Sequence, residues 1–321
     1  MKIIVLDRCT VERENEINWE SLLKLGEVEF YDLLSDSEVI EVAKEAEIII
    51  ANKKVFHKEL LEKLPALRLI CLFATGYNNI DIDAAREMGI VVSNAPGYST
   101  DFVSQTVMAF ILSFTNSVAE YNKDVHEDKW IKSKTFSFFT NPLIELTGKT
   151  LGIFGLGSIG KKVASLGKAF GMNVIASTRT TPVNSDIEIV SKEELFRRSD
   201  FLSIHCPLTS QTQGLVNRET LSLMKDTAYL INTSRGGTII EKDLAEALNE
   251  GKIAGAAVDV LSEEPMKEYN PLRYAKNCII TPHVAWAAEE TRQRLIGIVA
   301  ANIEAYQKGK PQNVVNMQTY K

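Results

Sequence analysis

Short apolar runs alternate with amphipathic stretches along the chain. Residues 2–6 (KIIVL), 28–31 (VEFY), 47–51 (EIIIA), 68–72 (RLICL) and 90–92 (IVV) read as strands. The segments between them, such as SEVIEVAKEA, HKELLEKL and DIDAAREMG, carry helical spacing. Alternation at this spacing predicts an open parallel sheet covered by helices on both faces. The APG at 95–97 punctuates this first block. Residues 101–121 then run long and apolar with no breaker and predict one buried helix that opens a second unit. They hold too many polar residues for a membrane span.

A second alternating block begins at Leu146, after a polar connection containing NPL. Its strands are predicted near 150–154, 173–177, 201–204, 228–231, 254–258 and 278–281. Six strands with helices between them suit a complete doubly wound nucleotide domain. The last stretch holds one helix, roughly 289–307, and a tail. It is too short to be a domain, so it must pack on an earlier one.

Composition narrows the class without changing this outline. The 321 residues are enough for about two domains, and 45% hydrophobic with 24% charged residues is ordinary for a globular protein. A net charge of −6 gives no basic footprint for nucleic acid and argues against an anionic membrane surface. Cys9, Cys71, Cys206 and Cys278 are scattered without CxxC spacing, so neither a disulfide framework nor a structural zinc site is indicated. The first apolar run meets Asp7 and Arg8 too early for a signal-peptide core. A cytoplasmic setting is expected.

Two groups of residues carry candidate chemistry. The first is GIFGLGSIG, in which Gly155, Gly157 and Gly160 stand in G-x-G-x-x-G spacing between an apolar strand and a helical pattern. The first glycine permits a tight turn, the second admits a pyrophosphate to the backbone, and the third lets helix and strand pack closely. A glycine turn with no ligand is the competing reading. Dinucleotide units often place an acid about 20 residues on, to hold a ribose hydroxyl. Here the position falls on Thr178, followed by Arg179. Threonine does not repel a 2′-phosphate, and arginine pairs with one, so NADP(H) is favoured with NAD(H) as the alternative. Arg179 as a solvated loop residue stays open.

The second group lies at strand ends, where open α/β sheets bind ligands. INTSRGG places Arg235 past one strand, DVLSEEP places Asp259 at another with Glu264 beyond it, and ITPHVAW places His283 past a third. Arginine suits a 2-keto acid, pairing with its carboxylate and polarising the keto oxygen. Histidine suits proton exchange with the alkoxide oxygen, and a carboxylate beside it fixes its tautomer. Each residue alone has a structural alternative. His205, in SIHCPLT, is expected to line the cofactor side rather than act as acid.

These motifs, with LFATGYNNID at 72–81, stand in the order and spacing of one family. The sequence resembles the D-isomer-specific 2-hydroxyacid dehydrogenases over nearly its whole length. ATGYNNID and the His283-x-x-Trp286 ending are most similar to the glycerate dehydrogenase (hydroxypyruvate reductase) branch. The resemblance implies an α/β protein of two doubly wound parallel-sheet domains, a Rossmann cofactor domain (99–287) inserted into a flavodoxin-like substrate domain (1–98 plus 288–321). It implies Arg235, Glu264 and His283 as the catalytic set, and Thr75 and Gly76 as a backbone cradle for the substrate carboxylate. It further implies that Ser158 and Ile159 meet the pyrophosphate, Asp259 faces the nicotinamide carboxamide, and Pro207 and Thr233 line the cofactor side. A site in the interdomain cleft, a homodimer through the cofactor domain, and a small 2-keto or 2-hydroxy acid as substrate complete what it implies. Thr178 departs from the acid of NAD-using members, and Ser234 stands where a small apolar residue is commoner.

The expected activity is hydride transfer between NAD(P)H and a small 2-keto acid, with hydroxypyruvate and glyoxylate first. A 3-phosphoglycerate dehydrogenase-like enzyme is the nearer alternative. A nucleotide-sensing, corepressor-like binding module is the more distant one.

Overall fold

The computed structural model describes residues 1–180 and 186–317. Among them the chain forms two compact units, Met1–Ser99 with Trp286–Lys321, and Thr100–Ala285.

The first unit is built on five parallel strands: β1 (Lys2–Val5), β2 (Glu27–Phe30), β3 (Ile48–Ala51), β4 (Leu69–Leu72) and β5 (Val91–Ser93), in the order β2-β1-β3-β4-β5. This is the flavodoxin-type order. Every residue of β3 and β4 is buried, which is why both read as continuous apolar runs. Alternation along the strands sorts them onto two faces. Ile4, Ile49 and Ile70 join Val39, Leu60 and Ala85 in one core. Ile3, Ile48, Ile50 and Leu69 join Leu295, Val299 and Ile303 of the helix Glu289–Gln307 in the other.

The returning segment completes this unit. Asn302 Nδ2 donates to the Asn94 carbonyl (2.8 Å), and Ser93 forms an antiparallel bridge with Val314. Buried Asn316 accepts from the Val92 N–H (2.9 Å) and donates to the Ile90 carbonyl (2.7 Å).

The second unit holds seven parallel strands: β6 (Thr150–Phe154), β7 (Asn173–Ser177), β8 (Glu188–Ile189), β9 (Phe201–Ile204), β10 (Tyr229–Asn232), β11 (Gly255–Val258) and β12 (Cys278–Ile280). Their order is β12-β11-β10-β9-β6-β7-β8, the Rossmann order extended by one strand. The sequence predicted six strands. β8 escapes because it has two residues, at the sheet edge, and presents no apolar run.

The single helix expected over 101–121 is two, Thr100–Asn116 and Val118–His126. Ser117 breaks it with a left-handed backbone (φ 47°). The break falls in a Thr-Asn-Ser run whose side chains compete for backbone partners, and Thr115 Oγ1 donates to the Ile111 carbonyl (3.0 Å). The burial also changes there. The first helix buries Val103, Val107, Phe110 and Ile111, whereas the second buries Asp124 alone. Among the described residues no single helix is long and apolar enough to cross a membrane.

Candidate active site

The loop after β10 is organised by a residue that motif reading passed over. Asn232, the last residue of the strand, is fully buried. Its Oδ1 accepts from the Ser234 N–H (3.0 Å) and hydroxyl (2.8 Å). Its Nδ2 donates to the Arg235 carbonyl (3.0 Å) and to Thr238 Oγ1 (3.2 Å). Ser234 therefore caps the asparagine, which accounts for a hydroxyl at this position. Arg235 is half-buried, donates to the Ser234 carbonyl (2.7 Å), and has no carboxylate partner among the described residues. Gly236 allows the loop to lie against the Leu261 carbonyl, where any Cβ would collide.

The loops after β11 and β12 bring an acid and an imidazole together. Oε2 of Glu264 lies 2.7 Å from Nδ1 of His283, and Glu264 Oε1 accepts from the Leu261 N–H (3.0 Å). His283 has a left-handed backbone (φ 55°), costly for a residue with a Cβ. Asp259 holds it there. This buried carboxylate accepts from Thr281 Oγ1 (2.6 Å) and the N–H groups of Val284 and Ala285 (both 2.9 Å). Its carbonyl accepts from the His283 N–H (2.8 Å), and its own N–H donates to the Asn232 carbonyl (2.9 Å). One hydrogen-bonded chain thus links the loops of Arg235 and His283.

The three glycines after β6 differ in what surrounds them. Gly155 has φ +97°, and a Cβ there would lie 2.7 Å from the His205 carbonyl. A Cβ on Gly160 would collide with the Gly155 carbonyl, so this glycine seats the helix Ser158–Ala169 on its strand. A Cβ on Gly157 would meet nothing within 4 Å. Gly157 caps that helix without a side-chain bond. The loop after β7 holds Thr178, half-buried, and Arg179, exposed. Thr178 Oγ1 donates to the Thr180 carbonyl (3.4 Å). Pro207 is exposed and accepts from Thr212 Oγ1 (2.6 Å). His205 Nε2 sits 2.8 Å from Ser203 Oγ, and burial pushes its imidazole down to about 4, so it is neutral at ordinary pH.

Thr75 and Gly76 belong to the first unit, in the loop after β4. Thr75 Oγ1 donates to the Ala95 carbonyl (2.8 Å), and its own carbonyl accepts from Asn94 Nδ2 (2.7 Å). These bonds tie the loop to the chain after β5.

Residues 108–285 match the family model of the D-isomer specific 2-hydroxyacid dehydrogenase NAD-binding domain. The chain is 43% identical to the hydroxypyruvate reductase of Blautia hydrogenotrophica, over 98% of this chain and 100% of that one. The chain belongs to the D-isomer-specific 2-hydroxyacid dehydrogenase family. It is also 37% identical to the glycerate dehydrogenase of Methylorubrum extorquens, over 98% of each. Among solved structures it is similar to an NADPH-dependent glyoxylate/hydroxypyruvate reductase of Sinorhizobium meliloti in complex with NADP and malonate. The TM-score there is 0.84 at 28% identity, over 98% of this chain and 96% of that one.

As a member of this dehydrogenase family the protein is a nicotinamide-dependent oxidoreductase. Its own residues fit such a cofactor. The one glycine of the loop whose missing side chain opens onto space is Gly157, at a helix N-terminus that favours phosphate. Beyond β10, Thr233 Oγ1 is buried with no partner, one of two such side-chain atoms among the described residues. A buried hydroxyl left unpaired costs about 1–3 kcal/mol, which a ligand at this strand end would relieve.

Proposed function

We propose that this dehydrogenase reduces small 2-keto acids, hydroxypyruvate and glyoxylate first, to the D-2-hydroxy acids. The observation that carries the reading is the Glu264–His283 pair, 2.7 Å apart, with the histidine on a loop whose backbone Asp259 fixes. A nicotinamide cofactor held at the glycine loop after β6 would supply the hydride for this reduction. His283 gives the substrate oxygen its proton and takes it back in the reverse direction. Glu264 holds the imidazole in one tautomer and stabilises its charged form. Arg235, which has no carboxylate partner among the described residues, binds the substrate carboxylate and polarises the keto oxygen. The backbone at Thr75 and Gly76 cradles the same carboxylate.

Unit Thr100–Ala285 is proposed as the cofactor domain and the other as the substrate domain. Ser158 and Ile159 meet the pyrophosphate, and Pro207, Thr233 and Asp259 line the nicotinamide side. The cofactor is proposed to be NADP(H) by preference, because an exposed arginine follows Thr178 where an acid would repel a 2′-phosphate. We place the enzyme in the cytoplasm as a homodimer. Trp130, Ile131, Phe136 and Phe139 are exposed on one stretch of the cofactor domain, and Phe136 is 91% exposed, an apolar surface a second copy would cover.

The test is a set of initial rates for hydroxypyruvate and glyoxylate with NADPH and NADH in parallel. Fast turnover with NADPH and slow turnover with NADH is expected. Turnover with neither keto acid would overturn the reading, and equal rates with NADH would remove the cofactor preference.

A further inference from the structure

Glu264 reaches His283 from a segment that has no core of its own. Leu261 and Asn270 are buried, whereas every residue from Ser262 to Tyr269 is exposed. The bonds made inside the segment lie at the surface. Glu263 accepts from the Tyr269 hydroxyl (3.0 Å) and pairs with Lys267 (3.4 Å). Exposed pairs of this kind contribute little, and a stretch without buried apolar contacts is among the first to open. Something else must hold the Glu264 carboxylate 2.7 Å from the imidazole.

Glu241 binds both ends of this segment. It is the first residue of the helix Glu241–Asn249, where an acid favours the helix dipole. Both of its oxygens are bonded outside the helix. Oε1 accepts from the Ser262 N–H (2.6 Å), and Oε2 accepts from Asn270 Nδ2 (2.8 Å). Asn270 is anchored in turn. It is buried, and its Oδ1 accepts from the Leu272 N–H (2.9 Å), capping the 3-10 helix Pro271–Tyr274. One carboxylate thus closes the loop 262–270.

The end at Ser262 bears on the chemistry. Glu241 holds the Ser262 N–H, and Glu264 Oε1 accepts from the N–H of Leu261, one residue earlier (3.0 Å). Gly236, next to Arg235, packs against the same Leu261–Ser262 peptide, with no room there for a Cβ. Glu241 therefore fixes the peptide from which Glu264 takes its orientation. All of these residues lie within Thr100–Ala285.

We propose that Glu241 is a positioning residue for the Glu264–His283 pair: it closes the loop 262–270 and keeps the Glu264 carboxylate on the imidazole. The inference rests on the keto-acid reduction above and deepens it, by naming what keeps the acid–base pair in register.

Three variants test it, with thermal unfolding as a check on folding. E241Q keeps the size of the side chain, but its amide offers one acceptor to two donors. N270S can still cap the Leu272 N–H but removes the amide that donates to Glu241. In E241Q/N270D the glutamine amide donates to the introduced carboxylate, and each pairing is restored. The kcat with the faster of hydroxypyruvate and glyoxylate is measured for each, alone and combined with E264A. E241Q should lower kcat about threefold to tenfold, a loss bounded by that of E264A because both act through one residue. N270S should lower it less, and E241Q/N270D should recover most of it. In the E264A background, E241Q and N270S should cost nothing further, since no carboxylate is left to position. An unchanged kcat in E241Q, or the same fold-loss with and without E264A, would overturn the proposal. Should E241Q fail to fold, N270S decides by the same comparison. A wild type that reduces no keto acid would sink the underlying reading, and this inference with it. An active wild type with kcat unchanged in E241Q sinks the inference alone.

Discussion

Glu264 Oε2 and His283 Nδ1 lie 2.7 Å apart although the residues leave the sheet from different strands, β11 and β12. His283→Ala should lower kcat about 10²–10⁴-fold, the usual contribution of a positioned acid or base, with cofactor affinity nearly kept. Glu264→Gln should cost less, about tenfold, because the amide still orients the ring but cannot stabilise its charge. Steady-state rates and cofactor titration by fluorescence check both. Near-normal turnover in His283→Ala would end the proposed mechanism.

Gly157 and Gly160 predict opposite outcomes for one chemical change. Gly157→Ala adds a methyl where nothing lies within 4 Å, so the fold should hold while the Kd for cofactor rises. Gly160→Ala drives a methyl into the Gly155 carbonyl, so thermal stability should fall. Equal effects on cofactor affinity and unfolding temperature in the two variants would contradict this division of labour.

Arg179→Asp should move the NADPH-to-NADH ratio of kcat/KM toward NADH by about tenfold or more. The change removes a charged partner of a 2′-phosphate and adds a repelling one. A ratio that stays put makes Arg179 a bystander.

Asn232→Ala removes the acceptor of the Ser234 N–H and hydroxyl, while the Arg235 carbonyl and Thr238 Oγ1 lose one partner each and keep their bond to one another. The protein should lose about 1–3 kcal/mol or more of stability to unsatisfied buried groups. The KM for keto acid should rise more than the KM for cofactor, because the Arg235 loop is what loosens. A uniform change in both constants would argue for a purely structural role.

Burial holds the His205 imidazole near 4, below its ordinary 6.5. As pH falls from about 6.5 toward 4, the unfolded chain takes up a proton at this residue that the folded chain refuses. Stability therefore drops across that window, at up to about 1.4 kcal/mol per pH unit, and is kept above it. His205→Gln should flatten this part of the profile. Thermal unfolding midpoints of both proteins between pH 4 and 7 test the difference, and parallel curves would refute the assignment.

The strand–helix plan was legible because parallel sheets bury both faces, and β3 reads as unbroken Ile-Ile-Ile-Ala for that reason. Gly155, Arg235, Glu264 and His283 stood out because their chemistry is unusual at strand ends. Asn232 did not, since a polar residue at the end of a buried strand looks like the start of a loop. Its importance lies in bonds to backbone atoms, which no side-chain pattern records. β8 and the break at Ser117 were hidden likewise, one by brevity and the other by a backbone angle.

The helix Glu289–Gln307 and Asn316 complete the core and the sheet edge that the first ninety-nine residues begin. On the ribosome, the earliest segment made is thus the last able to finish folding. All of Thr100–Ala285 must be synthesised in between, on the order of ten to forty seconds at ordinary elongation rates. Through that interval the apolar face of β1, β3 and β4 waits for its cover, while the contiguous second unit already holds everything its own core needs. Chaperone demand during biosynthesis should accordingly concentrate on the amino-terminal strands.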